Sequence, residues 1–209
     1  KKQSRAEVHL KHLSPGERRL FEAADRKEWL SLTREKKALR VLSAEEARQV
    51  RLEMPDRVMG SRWVRTWKEE DGEARRGKSR LVILGHRDPD LPSLAAAGKL
   101  QAPTISQVAK MTFFQYVASR RWRLRMSDIG TAFLNAPLTG RPGGRLFATV
   151  PRDGVPADEA GVFEIVRNVY GLNSAPRAWH NTLREALLEA GWSQSVSYTH
   201  LRAHETRHY

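Results

Sequence analysis

Cysteine is absent from the 209 residues of this sequence. Disulfide bonds and zinc sites built from thiolates are therefore excluded. No uninterrupted apolar run approaches the roughly 20 residues that a membrane-spanning helix needs. The first residues are basic but lack the apolar core and small-residue cleavage site of a signal peptide. We therefore expect no secretion signal and no membrane partner.

Acidic residues are few relative to basic ones. Asp and Glu number 24 against 37 Lys and Arg, which gives a formal net charge of +13. The surplus lies mostly upstream of Asp128, since residues 61–125 carry 14 basic and 6 acidic side chains. Such an imbalance favours polyanionic partners. No basic amphipathic stripe with aromatic anchors is visible, so nucleic acid is favoured over a membrane surface.

Capping signals predict helices near the N-terminus. Ser14 and Glu17, and again Ser43 and Glu46, have the spacing of a capping box in the first turn of a helix. Charged residues dominate both helical stretches. We therefore interpret residues 1–55 as a solvated helical extension.

Alternating apolar and polar residues predict strands further along the chain. Residues 61–67 and 78–84 are expected to form a basic β-hairpin, with Lys78 and Arg80 on one face and a loop after it. Other strands are predicted over residues 121–129, 145–150 and 162–169, and other helices over 104–119 and 175–191. Helices packed on small antiparallel or mixed sheets place the chain in the α+β class.

Asp128 is the first candidate for chemistry. It ends the predicted strand 121–129 and is followed by small residues. An acid at a strand end is a common active-site placement, because strand ends open into clefts. From this pattern alone, a surface aspartate that caps the next turn is the commoner explanation.

Three motifs follow one another along the chain: K-S-R-L-V at residues 78–82, M-S-D-I-G-T-A-F-L-N at 126–135, and Y-G-L-N-S-A-P-R-A-W at 170–179. In this order and spacing the sequence resembles the reverse transcriptase domain of copia-type LTR retrotransposons, over roughly residues 20–192. It departs from the family pattern at Ser127, where an apolar residue is usual, and at Asn173 and Ser174, where Lys-Gln is usual.

The resemblance implies a metal-dependent RNA-directed DNA polymerase shaped like a right hand, of which this chain holds the fingers and part of the palm. Asp128 matches the first catalytic aspartate, which binds Mg²⁺. Ile129 would contribute its backbone carbonyl to one ion. Two Mg²⁺ ions would act in the complete enzyme, because they clamp the attacking and leaving oxygens and neutralise the triphosphate.

The resemblance also implies a nucleotide-binding set. Lys78 and Arg80 would hold the triphosphate of an incoming dNTP by charge-assisted hydrogen bonds. Phe133 matches the aromatic gate that excludes a ribose 2′-hydroxyl, and Tyr170 and Gly171 would lie near the nascent base pair. From the residues alone, two alternatives stay open: a core role for Phe133, and an ordinary solvated strand face for Lys78 and Arg80.

The expected organisation follows from these motifs. It comprises a helical N-terminal extension (1–55), a fingers hairpin and loop (56–103), a palm segment with the Asp128 strand (104–136), a fingers return segment (137–174), a palm helix (175–195) and a tail (196–209). The family's Tyr-x-Asp-Asp motif, which carries the remaining metal-binding aspartates, does not occur in the sequence. We therefore expect a longer natural protein, and we expect this fragment to be inactive.

The tail contains a pattern that resembles a zinc hydrolase. His204, Glu205 and His208 match the H-E-x-x-H motif, and His200 adds a third histidine. The segment lacks the apolar helix face and downstream ligand of such enzymes, so we expect no zinc at His204 and His208. Residues 196–209 instead resemble an in-frame translation of a sequencing-library adaptor.

The expected partners are an RNA or DNA primer–template, dNTPs, and the integrase and ribonuclease H domains of a polyprotein. The expected location is the cytoplasm, in virus-like particles, or the nucleus. The competing hypothesis is a non-catalytic, basic nucleic-acid-binding protein, either a domesticated element or a relic.

Overall fold

The computed structural model of the chain describes residues 7–69, 75–155 and 161–193. Capping boxes begin the first two long helices, as predicted. In α1, Pro15–Leu30, the Glu17 amide donates to the Ser14 hydroxyl, and the Ser14 amide donates to the Glu17 carboxylate. The same exchange begins α2, Ala44–Glu53, at Ser43. These bonds satisfy amides that the helix itself leaves unpaired.

The predicted hairpin is confirmed. β3, Ser61–Lys68, and β4, Arg76–Ile83, pair antiparallel along all eight residues of each strand. The Asp71-Gly72 pair, a turn signal between the two strands, lies outside the described residues. Trp63 and Arg65 on the inner face of β3 are buried, so the hairpin presents this face to another element.

α1 covers the inner face of this hairpin. Phe21, Asp25 and Trp29 are buried along one side of the helix. The Phe21 ring meets the Trp67 ring edge-on at 4.7 Å, and the Arg65 guanidinium donates to the Asp25 carboxylate at 2.7 Å. The interpretation of the N-terminal residues as a solvated extension is therefore wrong, because the hairpin supplies apolar and charged partners at the spacing of one helix face.

A second, four-stranded sheet lies beside the hairpin. Its strands are β1 (Leu39–Val41), β2 (Val58–Met59), β5 (Leu146–Thr149) and β6 (Val162–Ile165), in the order β1-β6-β5-β2. β6 pairs antiparallel with β1 and β5, whereas β2 and β5 pair parallel. The predicted strand 145–150 is thus confirmed over its four central residues, and the predicted strand 162–169 over its first four. Two small sheets with helices agree with the predicted α+β class.

Alternate residues of the central strands enter two different cores. Leu146 and Ala148 join the main core, which also holds Trp29 and Phe163 with ring centroids 5.7 Å apart. Phe147 belongs to a smaller core under α2. Successive side chains of a strand point to opposite faces, so a strand covered on both faces contributes alternate residues to each core.

The predicted loop after the hairpin contains a short helix, α3, Leu91–Ala96. Buried ion pairs anchor it: Asp90 pairs with Arg57 at 2.9 Å and with Arg141 at 3.0 Å, and Asp88 also pairs with Arg141. Short helical turns occur at Leu10–His12, Ser31–Glu35, Pro55–Arg57, Gly85–Arg87 and Ala132–Asn135.

The predicted strand over residues 121–129 is wrong. Residues 123–129 have no regular secondary structure, and every residue from 121 to 130 is exposed. The preceding helix α4, Gln107–Ser119, has no buried residue. Trp122 is 59% exposed and Met126 is 95% exposed. A strand needs a hydrogen-bonded neighbour and an apolar cover, and the described part of the chain provides neither here.

The last helix, α5, spans Ala175–Glu189 and is followed by Gly191 in the left-handed conformation (φ +85°), which favours glycine at the end of a helix. Its first residue is buried, but Leu187 and Leu188 near its end are exposed. Because no strand forms over residues 121–129, α4 and α5 have none there to pack on. Among the described residues, no helix has the length and apolar character to cross a membrane.

Candidate nucleotide-binding site

The two faces of β4 differ as the sequence predicts. Ser79, Leu81 and Ile83 are buried against α1 and the core. Lys78 and Arg80 alternate with them and are partly exposed on the opposite face. This places two cationic side chains, two residues apart, on one accessible strand surface.

The turn that carries Tyr170 and Gly171 docks against the end of β4. The Ile83 amide donates to the Tyr170 carbonyl at 2.8 Å. Gly171 has a φ of +95°, and a Cβ there would overlap the carbonyl oxygen of Ile83. A Cβ at Gly85 would in turn overlap the Gly171 carbonyl. Only glycine permits this approach, which explains why the motif needs one.

Three of the predicted nucleotide-binding side chains meet at this junction. The Arg80 guanidinium lies over the Tyr170 ring, 5.7 Å from its centroid. The Phe133 ring contacts the Tyr170 ring edge-on, with centroids 5.9 Å apart. Burial raises the pKa of Tyr170, the negative charge of Glu28 raises it further, and Arg80 acts in the opposite direction. The ring is therefore a neutral, partly buried platform at ordinary pH.

Phe133 has contacts of two kinds. It is partly buried and packs against the main core, and it also touches Tyr170 at the accessible junction. A short helical turn, Ala132–Asn135, holds it, preceded by Thr131 in the left-handed conformation (φ 52°). The geometry is compatible with both the core role and the gate role.

Glu28 is a charged residue at this junction that the sequence interpretation missed. Burial raises the pKa of its carboxyl, although the Leu81 amide, Arg80 and Lys78 all favour the ionised form. Its signal in the sequence was the helical spacing from Phe21, which places it beside the buried face of α1. That signal identified a face to bury but gave no indication of what would lie opposite.

Asp128 and Ile129 are not brought into this junction by any packed element. Both lie in the exposed, irregular residues 123–129. Within the described residues, no group of three His, Asp or Glu side chains is placed to hold a metal ion. The residues described do not fit a two-metal site, since two ions need several carboxylates around them. His204 and His208 lie outside the described residues.

Arg121, Arg123 and Arg125 are exposed together with the apolar residues between them. Because no strand forms here, the alternating arginines and apolar residues do not lie on opposite strand faces. The exposed arginines and apolar residues together give this segment a mixed basic and apolar surface.

Comparison with known proteins decides the family. The family model described as reverse transcriptase (RNA-dependent DNA polymerase) matches residues 45–205. The chain belongs to this reverse transcriptase family. The resemblance seen in the three motifs is confirmed. The match extends into residues 196–209, whose origin as an adaptor stays a prediction.

Two curated relatives are retrotransposon polyproteins. The reverse transcriptase chain is 34% identical, over 150 residues, to each of the Retrovirus-related Pol polyproteins from transposons RE2 and RE1 of Arabidopsis thaliana. The aligned region covers 69% of this chain and 10% of each relative. The chain therefore spans about a tenth of the length of these relatives. No solved structure matches it.

Proposed function

We propose that this chain is the nucleotide-binding fingers and an incomplete palm of an RNA-directed DNA polymerase from a copia-type Pol polyprotein. The observation that carries the proposal is the junction of Arg80, Tyr170 and Phe133. Three segments that are far apart in sequence meet there, and each of them carries one of the family motifs.

In this proposal Lys78 and Arg80 bind the triphosphate of the incoming nucleotide. Their strand face is accessible, and ionised donors form the stronger class of hydrogen bonds to phosphate oxygens. Tyr170 then provides a flat surface beside the nascent base pair. Gly171 keeps that surface against β4, because its lack of a side chain allows the close approach to Ile83.

Phe133 is proposed as the gate that selects deoxyribose. Its ring is held by Tyr170 on one side and by the core on another, so it can exclude a hydroxyl by occupying fixed space. Rejection of a hydroxyl by packing follows from the cost of burying a polar group without a partner.

Asp128 is proposed as a metal ligand of the complete polymerase, in which Mg²⁺ is the expected ion. The described residues do not supply the other carboxylates. We propose that the chain alone binds substrates without extending a primer. A primer-extension assay with Mg²⁺ and dNTPs should give no product, and extension by this chain would overturn the account.

The exposed residues 104–129 are proposed as the unfinished part of the palm. The alternation of Trp122, Leu124 and Met126 with arginines is typical of a strand with one buried face. Such a strand forms when another strand or an apolar cover is added to it. An absent partner strand or cover explains why residues with the sequence patterns of a helix and a strand remain exposed in the described chain.

Binding of primer–template is proposed to be weak and strongly salt-dependent. Residues 61–125 carry 14 basic against 6 acidic side chains, and such contacts release counterions from the phosphate backbone. A fluorescence-anisotropy titration of a labelled primer–template at several salt concentrations checks this. An affinity that does not fall with salt would contradict the proposed contact.

The test of the nucleotide site is binding of dATP and ATP to Arg80→Ala and Phe133→Val variants. Arg80→Ala should weaken the binding of both nucleotides, whereas Arg48→Ala on the exposed side of α2 should leave both affinities unchanged. Phe133→Val should raise ATP affinity relative to dATP. A core role predicts instead that Phe133→Val lowers the melting temperature and leaves the ratio of the two affinities unchanged.

The competing function is a non-catalytic nucleic-acid-binding protein. The lack of a carboxylate cluster among the described residues favours it over an enzyme for this chain taken alone. It predicts primer–template binding without any preference for nucleoside triphosphates. Equal, weak binding of dATP to the wild type and Arg80→Ala would support it.

A further inference from the structure

α1 lies outside the range that the reverse transcriptase family model matches, which begins at residue 45. The helix nevertheless packs tightly on the motif-bearing hairpin. Phe21 is fully buried against Trp67 and against Gly77, where an added Cβ would lie 3.1 Å from the Phe21 ring. Asp25 is fixed by Arg65. Side chains on this helix face are thus held in definite positions relative to β4.

Glu28 lies on this helix three residues after Asp25, next to buried Trp29. The backbone amide of Leu81 favours the ionised form of its carboxyl. The Oε1 atom of Glu28 is shielded from solvent and has no hydrogen-bond partner in the described part of the chain. An acidic group held this way is costly, because a buried charge loses its hydration.

The outer edge of β4 shows what this acid faces. The Ile83 amide of that edge donates to the Tyr170 carbonyl, and the Leu81 amide favours the ionised Glu28 carboxylate. Arg80 precedes Leu81 and reaches over the Tyr170 ring. The charged and titratable groups around the carboxyl are Arg80 and Lys78 from β4 and Tyr170 from the turn.

We propose that Glu28 limits the affinity of this strand face for phosphate groups by competing with them for Arg80 and Lys78. The inference rests on the proposed function, since it takes these two cations as the triphosphate-binding residues. Glu28 does not touch the ligand in this proposal; it acts through the cations and is a positioning residue. Its effect is to keep binding of a triphosphate, or of released pyrophosphate, reversible.

Binding and proton uptake are linked in this arrangement. A bound polyphosphate adds negative charge beside the Glu28 carboxyl and draws the two cations toward itself. Both changes raise the pKa of that carboxyl, because like charge disfavours ionisation and a lost cation no longer stabilises it. Polyphosphate should therefore bind more tightly as the pH falls through the ionisation of Glu28.

The test uses the full chain and inorganic tripolyphosphate as the probe, with dissociation constants measured by calorimetry. Glu28→Gln removes the charge and keeps an oxygen that can accept from Leu81. We expect it to bind about 5- to 10-fold more tightly than wild type, since a tenfold change corresponds to one pKa unit of interaction between neighbouring groups. Glu22→Gln, on the exposed side of the same helix, is the matched control and should bind like wild type.

A pH series separates this role from a purely structural one. Between pH 8 and 5, wild-type affinity should rise more than that of Glu28→Gln, while titration of the probe itself affects both proteins equally. Thermal melts of all variants establish that they are folded. A structural role for Glu28 would lower stability without producing a difference between the two pH profiles.

If Arg80→Ala weakens tripolyphosphate binding but Glu28→Gln leaves it equal or weaker, the role of Glu28 is overturned and the phosphate site stands. If the wild type does not bind the probe, or Arg80→Ala binds as well as wild type, the phosphate site itself is wrong and the inference fails with it.

Discussion

The hairpin with α1 and the segment 104–129 have similar numbers of apolar residues but very different environments. Phe21 and Trp29 are buried on the hairpin, whereas Val108 of α4 is 76% exposed and Trp122 is 59% exposed. The difference lies in what stands opposite each element. A helix or strand pattern determines which face requires cover, and only a second element at the right position supplies that cover.

The largest expected effect comes from removing a core aromatic ring. Phe163 is buried against Trp29, so Phe163→Ala should lower the free energy of unfolding by about 4 kcal/mol. Phe114→Ala in α4, where the ring is 41% exposed, should cost less than about 1 kcal/mol. Urea unfolding followed by circular dichroism measures both. Equal losses would mean that α4 is packed in solution and would break the comparison.

A smaller effect is expected from the buried ion pair under α1. Among the described residues, Asp25→Ala leaves the Arg65 guanidinium with the half-exposed Asp153 as its remaining ion-pair partner. We expect a loss of about 3 kcal/mol, because the buried cation loses its buried counterion. The exposed pair between Glu7 and Arg62 is the control, and Glu7→Ala should cost less than about 1 kcal/mol. Similar losses for the two variants in chemical denaturation would contradict the burial of Arg65.

Adding a side chain at Gly171 should destabilise its junction with β4 for two reasons. Gly171→Ala introduces strain at a φ of +95° and a clash with the Ile83 carbonyl, so about 2 kcal/mol should be lost. Gly191→Ala has a similar φ of +85° but open space around the new methyl group, so only the strain of about 1 kcal/mol applies. Thermal melts compare them. A Gly171 variant as stable as the Gly191 variant would show that the turn does not dock on β4.

The smallest expected effect is a pH dependence of stability from Glu28. Burial raises the pKa of its carboxyl above 4.5, so the folded state holds this proton more tightly than the unfolded state does. Wild-type stability should therefore fall as the pH rises from about 4.5 through the raised pKa. Glu28→Gln should lack this loss and become the more stable protein toward neutral pH. Denaturant midpoints measured from pH 4 to 8 check this prediction. A Glu28→Gln variant that becomes less stable than wild type as the pH rises would contradict it.

Glu46 provides a control of opposite sign for that experiment. Arg40 and the Ser43 amide lower the pKa of its carboxyl to about 2. Its contribution to stability is present above pH 4.5 and is lost as the pH falls toward 2. Glu46→Gln should therefore be less stable than wild type at neutral pH, and this difference should shrink on acidification. The pH dependence of Glu28→Gln thus reports the effect of burying a carboxyl group on stability, and that of Glu46→Gln reports the effect of pairing a carboxyl group with a cation.

Local signals predicted the fold wherever the relevant interactions are local. Residues that are near neighbours in the sequence form the capping boxes at Ser14 and Ser43 and the hairpin of two eight-residue strands. All three are confirmed. The burial of Arg65 was not predictable in this way, since its partner Asp25 lies 40 positions away. The strand expected over residues 121–129 failed for the same reason, because its alternation contains no information about a pairing partner.

The candidate site was predictable in part. The family motifs predict Arg80, Phe133 and Tyr170 as site residues, and the structure brings their side chains together. The motifs also predict Asp128, which lies in an exposed, irregular segment. No sequence pattern predicts Glu28, because one acid on a charged helix is not distinguished from the others until the strand that it faces is known.

The pairing of β1 with β6 has a consequence for synthesis on the ribosome. Leu39 lies opposite Ile165, so the nascent chain emerges with β1 long before its neighbour in the sheet exists. At typical elongation rates of about 5–20 residues per second, the delay is on the order of 6–25 s. α1 and the hairpin are close in sequence and can associate during this interval. Exposed edges of early strands invite aggregation, so partial chains released within this window should depend on chaperones more than the finished chain does.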